Sequence, residues 1–165
     1  APVMGLYCDV LAIRCFPNLK DREEDYSEKI LQQFIKYCNM PVISLESATL
    51  HPLQSLADMI TIQEHQKQHT PKIVLTWAPH IKPIPQAVAN SFAEWAVGCG
   101  YHLTITHPKG YELSESFTDG AVIEYNQEKA LENADFVYVK NWSSYHEYGK
   151  ILDVQENWLL DHQKM

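Results

Sequence analysis

Hydrophobic positions along this chain switch between two periods, and the switches mark out its elements. Cys8-Asp9-Val10-Leu11-Ala12-Ile13-Arg14 reads as a buried strand. After Asp25, Ile30, Leu31, Phe34, Ile35 and Cys38 recur at helical spacing, and Pro41-Val42-Ile43-Ser44-Leu45 supplies a second strand. A helix then opens at His51 with Leu53, Leu56 and Ile60 on one side. The polar stretch Glu64-His65-Gln66-Lys67-Gln68-His69-Thr70-Pro71 interrupts the pattern. Beyond it, Lys72 to Trp77 is a strand, and Val88, Phe92 and Trp95 mark a helix primed by Pro83 and Pro85. Leu103 to Thr106, Val122 to Tyr125 and Phe136 to Val139 are three further strands, with Ala130, Leu131 and Ala134 forming a short helix face between the last two.

Alternating strands and helices of this length predict an α/β fold of parallel sheets with flanking helices. The polar interruption divides the chain into two expected units, residues 1–68 and 69–165. At 165 residues and 45% hydrophobic the chain can bury a substantial core. Its 13 Lys and Arg stand against 21 Asp and Glu, a net charge of −8 with no basic stripe, which argues against nucleic acid as a partner. No apolar run approaches the ~18 residues of a membrane helix, so no membrane association is expected. The four cysteines form neither a C-x-x-C pair nor a compact framework, and no signal-peptide pattern is present; a cytoplasmic location is the expectation.

In parallel, helix-covered sheets, ligands gather beyond the carboxyl ends of strands. Arg14 ends the first predicted strand, Glu46 follows the second, His80 follows the third and Lys140 closes the last. His51-Pro52-Leu53-Gln54 adds an imidazole and a carboxamide three residues apart at a helix start, where Pro52 suits the first turn and the free N–H groups favour an anion. Each residue also has a plainer role: His51 as a helix-start histidine bonded to backbone, Arg14 as a surface ion-pairing arginine, Glu46 and Lys140 as partners of a neighbour. His65 and His69 have a spacing that can bind zinc, but no third ligand accompanies them, and a solvated helix end is the preferred reading. The tryptophans suit packing, with Trp142 placed beside Lys140 where it can also line a pocket.

His51-Pro52-Leu53-Gln54-Ser55-Leu56-Ala57-Asp58 resembles the carbamoyl-phosphate signature of the aspartate and ornithine carbamoyltransferases, His-Pro-x-Gln followed by an apolar residue, Ala and Asp. Pro41-Val42-Ile43 and Thr61-Ile62 are similar to the ornithine version. Thr76-Trp77-Ala78-Pro79-His80 and Lys140-Asn141-Trp142 instead resemble the branch that carbamoylates N-acetyl- or N-succinyl-ornithine in arginine synthesis. Where the ordinary ornithine enzyme has an Asp and a Ser-Met-Gly segment for the free α-amino acid group, this chain has Lys140-Asn141-Trp142. An acylated α-nitrogen is not cationic, so it needs no acid, and a Lys can meet carboxylates.

By matching positions, the resemblance implies two Rossmann-like domains: residues 1–68 as the end of a carbamoyl-phosphate-binding domain with its linking helix, and 69–165 as most of an acylornithine-binding domain. It implies carbamoyl-phosphate contacts from Arg14, His51 and Gln54, with Arg14 and His51 catalytic, and N-acyl-L-ornithine contacts from Glu46, His80 and Lys140. It further implies a homotrimer and no metal or organic cofactor. The family's Ser-Thr-Arg-Thr-type phosphate loop is expected upstream of residue 1 and its His-Cys-Leu-Pro segment downstream of residue 165, so the 165 residues alone are expected to be inactive. Two alternatives remain: a noncatalytic α/β binding module, and transfer to free ornithine.

Overall fold

The computed structural model describes residues 2–162 and 164. Two parallel sheets, one of two strands and one of four, are joined through a pair of packed helices.

In the first unit, β1 (Leu11–Arg14) runs beside β2 (Val42–Glu46), with Leu11 opposite Val42 and Ile13 opposite Ser44. A parallel pair needs a crossover. Two helices provide it, α1 (Arg22–Tyr26) and α2 (Lys29–Tyr37). Helix α1 has no apolar stripe to announce it. Its start is set by Asp21, whose side chain accepts from Glu24 N, and by Glu23, Glu24 and Asp25 in its first turn, where the helix dipole favours acids. Glu28, left-handed at φ 51°, separates it from α2.

The seven-residue buried strand expected from Cys8 shortens to four residues, and Cys8, Asp9 and Val10 are exposed. Among the described residues β1 pairs with β2 alone, which leaves the residues before Leu11 uncovered. Helix α3 (Pro52–His65) starts where expected but turns differently. Leu53, Leu56 and Ile60 are exposed, whereas Ser55, Met59 and Ile62 face the protein. Packing against the next helix decides which side is inward, and that side is the more mixed in sequence.

The second unit orders its strands β5-β4-β3-β6: β5 (Val122–Ile123), β4 (His102–Thr106), β3 (Lys72–Trp77) and β6 (Phe136–Lys140). Central β3 is covered on both faces, so Ile73, Val74 and Leu75 are all fully buried, as a continuous apolar run in a parallel sheet requires. Helix α4 (Ala87–Gly98) is buried around most of its circumference; Ala87, Ala89, Ala93 and Ala96 permit close approach to sheet and α3, while Phe92 stacks on Tyr138 of β6 at 4.2 Å. Short helices α5 (Glu115–Thr118) and α6 (Gln127–Leu131) complete the layers. Strand β5 stops two residues short of the expected Tyr125, and Ala134 lies beyond α6, past the left-handed Asn133.

The polar linker is tied down at the second sheet: Gln68 Nε2 and Lys72 N both donate to Asp135 Oδ2, at 2.5 and 2.8 Å. The loop after β6 returns to the first unit. Arg22 donates to Tyr145 O at 3.0 Å and Tyr148 donates to Asp25 at 2.9 Å. Gly149, at φ 71°, permits that docking, because a Cβ there would meet the Leu19 carbonyl oxygen at 2.1 Å.

Candidate active site

Arg14 and Glu46 end neighbouring strands, and a register shift between Ile13 and Arg14 brings them directly opposite. Such irregularities re-aim side chains at strand ends. Arg14 donates from Nε and Nη2 to the same Glu46 oxygen, at 2.8 and 2.5 Å. Its guanidinium also lies 4.5 Å from the Phe16 ring centroid. Glu46 is 7% exposed at its side chain and Arg14 53%, so a buried acid aims a cation that remains open to solvent. The fork retains donors on Nη1 and Nη2 for an incoming anion or carbonyl.

His51 joins this pair, its Nε2 lying 3.6 Å from Glu46 Oε2. Nδ1 is buried with no hydrogen-bond partner among the described residues. That orphaned nitrogen stands at the start of α3, where Pro52 opens the helix and no side chain caps it. The uncapped end directs the helix dipole's positive pole and its N–H groups at the same place. Gln54, one turn along, donates from Nε2 to Asp58 Oδ1 at 2.9 Å.

Three residues that sequence reading missed hold this constellation. Glu28 accepts from Ser47 Oγ, Thr49 N and Thr49 Oγ1 at 2.6, 2.8 and 2.7 Å, fixing the loop that carries the chain from Glu46 to His51. From the second unit, Ser91 Oγ accepts from His51 N at 2.8 Å and Asn90 Nδ2 donates to Thr49 O at 3.1 Å. Ser91 and Asn90 are fully buried polar residues on an apolar helix. That contrast is the signal that could have found them; Glu28 gives none, because its partners lie about twenty residues away.

His80 follows β3 and Lys140 ends β6, both at the carboxyl end of the second sheet. Ala78 N donates to Lys140 O at 3.1 Å, and Asn141 Nδ2 donates to Ala78 O at 2.6 Å, locking the two strand ends together. His80 is exposed, its Nδ1 on the Lys82 backbone, so Nε2 is left for a ligand. It lines a cavity of ≈160 Å³ with Trp77, Asn141 and Trp142. Trp142 is fully buried and donates to Tyr111 O at 2.7 Å, so it both packs and lines. Lys140 is half-buried and makes no ion pair among the described residues.

The structure thus brings Arg14, Glu46 and His51 into contact, with Gln54 on the adjoining turn. His80 and Lys140 stand apart from these at the carboxyl end of the second sheet, and no hydrogen bond or ion pair joins either of them to that cluster among the described residues. Glu46, expected among the acceptor contacts, lies against Arg14 and His51, the residues expected at carbamoyl phosphate. His65 lies exposed at the end of α3 with Nδ1 on Thr61 O, and His69 is also exposed. Beyond β4, burial pushes the His107 imidazole below its ordinary value of 6.5, where it helps line a ≈390 Å³ cavity.

Residues 1–64 match the family described as aspartate/ornithine carbamoyltransferase, carbamoyl-P binding domain. Over 99% of its length the chain is 53% identical to an N-succinylornithine carbamoyltransferase of Bacteroides thetaiotaomicron, covering 52% of that protein. It is 33% identical to an N-acetylornithine carbamoyltransferase of Xanthomonas axonopodis pv. citri, across all of this chain and 54% of that one. A solved variant of N-acetyl-L-ornithine transcarbamylase, complexed with carbamyl phosphate and N-succinyl-L-norvaline, superposes with a TM-score of 0.85 at 34% identity, covering 90% of this chain and 49% of the other. The chain spans about half the length of these relatives. Sequence and fold together place it in the aspartate/ornithine carbamoyltransferase superfamily.

Proposed function

We propose that the protein carrying this chain transfers a carbamoyl group from carbamoyl phosphate to the side-chain amine of an N-acylated L-ornithine, with N-succinyl-L-ornithine as the acceptor, in arginine biosynthesis. The observation that carries the chemistry is the Arg14–Glu46–His51 cluster at an uncapped helix start. The 53% identity to an N-succinylornithine enzyme, against 33% to an N-acetylornithine enzyme, supports the choice of acyl group.

The neutral amine attacks the carbamoyl carbon, a C–N bond forms, and the bond from that carbon to the phosphate oxygen breaks. Negative charge collects on the carbamoyl oxygen, where fixed donors do most for the rate. Arg14, aimed by Glu46, and His51 supply those donors. Gln54 accepts from the carbamoyl NH2. An ornithine-like side-chain amine has a reference pKa of ~10.4, so it gives up one proton to solvent before attack; a second leaves the nitrogen as the C–N bond forms, and the departing phosphate takes that one. Lys140, unpaired among the described residues, meets a carboxylate of the acceptor, and His80, whose Nδ1 is taken up by the Lys82 backbone, offers Nε2 to the same substrate.

Residues 1–68 then serve the carbamoyl donor and residues 69–165 the acceptor. A homotrimer in the cytoplasm is the form that the family resemblance favours. The test is carbamoyl transfer by the protein at its native length, with N-succinyl-, N-acetyl- and free ornithine offered in turn. N-succinylcitrulline should form fastest, and Lys140→Ala should raise the acceptor KM by at least tenfold. Equal use of free ornithine, unaffected by Lys140→Ala, would refute the acyl reading.

A further inference from the structure

Asp58 lies one helical turn beyond Gln54 on α3, and Gln54 Nε2 donates to its Oδ1 at 2.9 Å. On a plain helix surface such a pair adds a few tenths of a kcal/mol to helix stability and nothing more. Here its chemistry is directional. A carboxylate offers only lone pairs, so it can receive only the NH2 end of a carboxamide; turning the amide over would set oxygen against oxygen. Gln54 Oε1 is therefore committed to the side away from Asp58, and no hydrogen bond among the described residues ends on it. Asp58 is only partly exposed, and its Oδ2 is buried.

We propose that Asp58 is a positioning residue that fixes the orientation of the Gln54 carboxamide, so that the site presents a hydrogen-bond acceptor to the donor substrate and selects acyl phosphates bearing an NH2 group over those bearing a methyl. The inference rests on the carbamoyl-transfer reading above. A carbamoyl NH2 satisfies Gln54 Oε1; the methyl of acetyl phosphate, nearly the same size, leaves it facing a group that cannot donate. Asparagine at position 58 can donate as well as accept, so the carboxamide would populate both orientations.

The experiment compares binding of carbamoyl phosphate and acetyl phosphate to the protein at its native length. In Asp58→Asn, carbamoyl phosphate should bind about tenfold more weakly while acetyl phosphate changes less than twofold, so the preference collapses. The double variant Gln54→Glu, Asp58→Asn rebuilds the bond in the opposite sense: the new amide donates to the new carboxylate, whose other oxygen again accepts. It should recover most of the preference, which a merely structural role would not do. Should Asp58→Asn fail to fold, the double variant, in which the bond is remade, carries the test. An unchanged preference in Asp58→Asn, or no recovery in the double variant, overturns the role of Asp58 alone. A wild-type protein that neither binds carbamoyl phosphate nor transfers it overturns the carbamoyl-transfer reading.

Discussion

The two units are read from equally clear hydrophobic patterns, yet they spend those residues differently. In residues 69–165 the apolar positions close into a core, with Ile73, Leu75, Phe92, Ala93, Ile105 and Trp142 at 1% exposure or less. In residues 1–68, Ile30, Ile35, Ile43, Leu53, Leu56 and Ile60 are each at least 43% exposed, and α2 buries no residue fully. What organises the first unit is polar: Glu28 on the loop before His51, Glu46 on Arg14, and Asn90 and Ser91 reaching in from α4. Within these residues the second unit supplies the packed core, and the end of the first that carries Arg14 and His51 is held in shape largely by hydrogen bonds.

Substitutions should separate the two modes of support. Phe92→Ala removes a fully packed ring stacked on Tyr138 and should cost about 4 kcal/mol in chemical denaturation. Ile35→Ala, at 52% exposure, should cost less than about 1 kcal/mol. A comparable loss at both positions would mean that the face bearing Ile35 is covered in the working protein, and the contrast would fail.

Glu28→Gln sharpens the polar half of the comparison. It replaces an acceptor-only group that takes donors from Ser47 and Thr49, so it should cost about 2 kcal/mol and, through the loop that leads to His51, weaken carbamoyl phosphate binding. Ser91→Ala should act more gently, at about 1 kcal/mol, by orphaning His51 N–H. Binding unaltered by either change would show that the loop keeps its shape without them.

The smallest effect concerns pH. Burial holds the His107 imidazole below its ordinary value of 6.5, so the unfolded chain binds its proton more readily than the native state. Its contribution is complete above pH 6.5 and is lost as pH falls from there through the depressed native value. Lowering pH from 7 to 5 should therefore reduce the melting temperature, and His107→Gln should flatten part of that slope. An equal slope in the variant would assign the effect to other groups.

Much of this was legible in the sequence, for reasons that differ between elements. The Lys72 to Trp77 run announced a strand because its apolar residues are continuous, as burial on both faces requires, and Pro52 announced the start of α3 because only a first turn accommodates it without loss. The inward face of α3 was not legible: Leu53, Leu56 and Ile60 are the more apolar side, but Met59 and Ile62 are the ones that α4 covers. Helix α1 escaped because capping and acids, rather than periodicity, define it. Arg14, His51 and Gln54 could be proposed from strand-end placement and a local motif. The pairing of Glu46 with Arg14 depends on a register shift that no local pattern encodes.

The most direct test is the carbamoyl phosphate dependence of the transfer rate in His51→Ala at native length, with folding checked by denaturation. Loss of a fixed donor to the developing oxyanion predicts a fall in kcat/KM of about 100-fold, roughly 3 kcal/mol, at unchanged stability. A kcat/KM within twofold of wild type would contradict the assignment of carbamoyl chemistry to the Arg14–Glu46–His51 cluster.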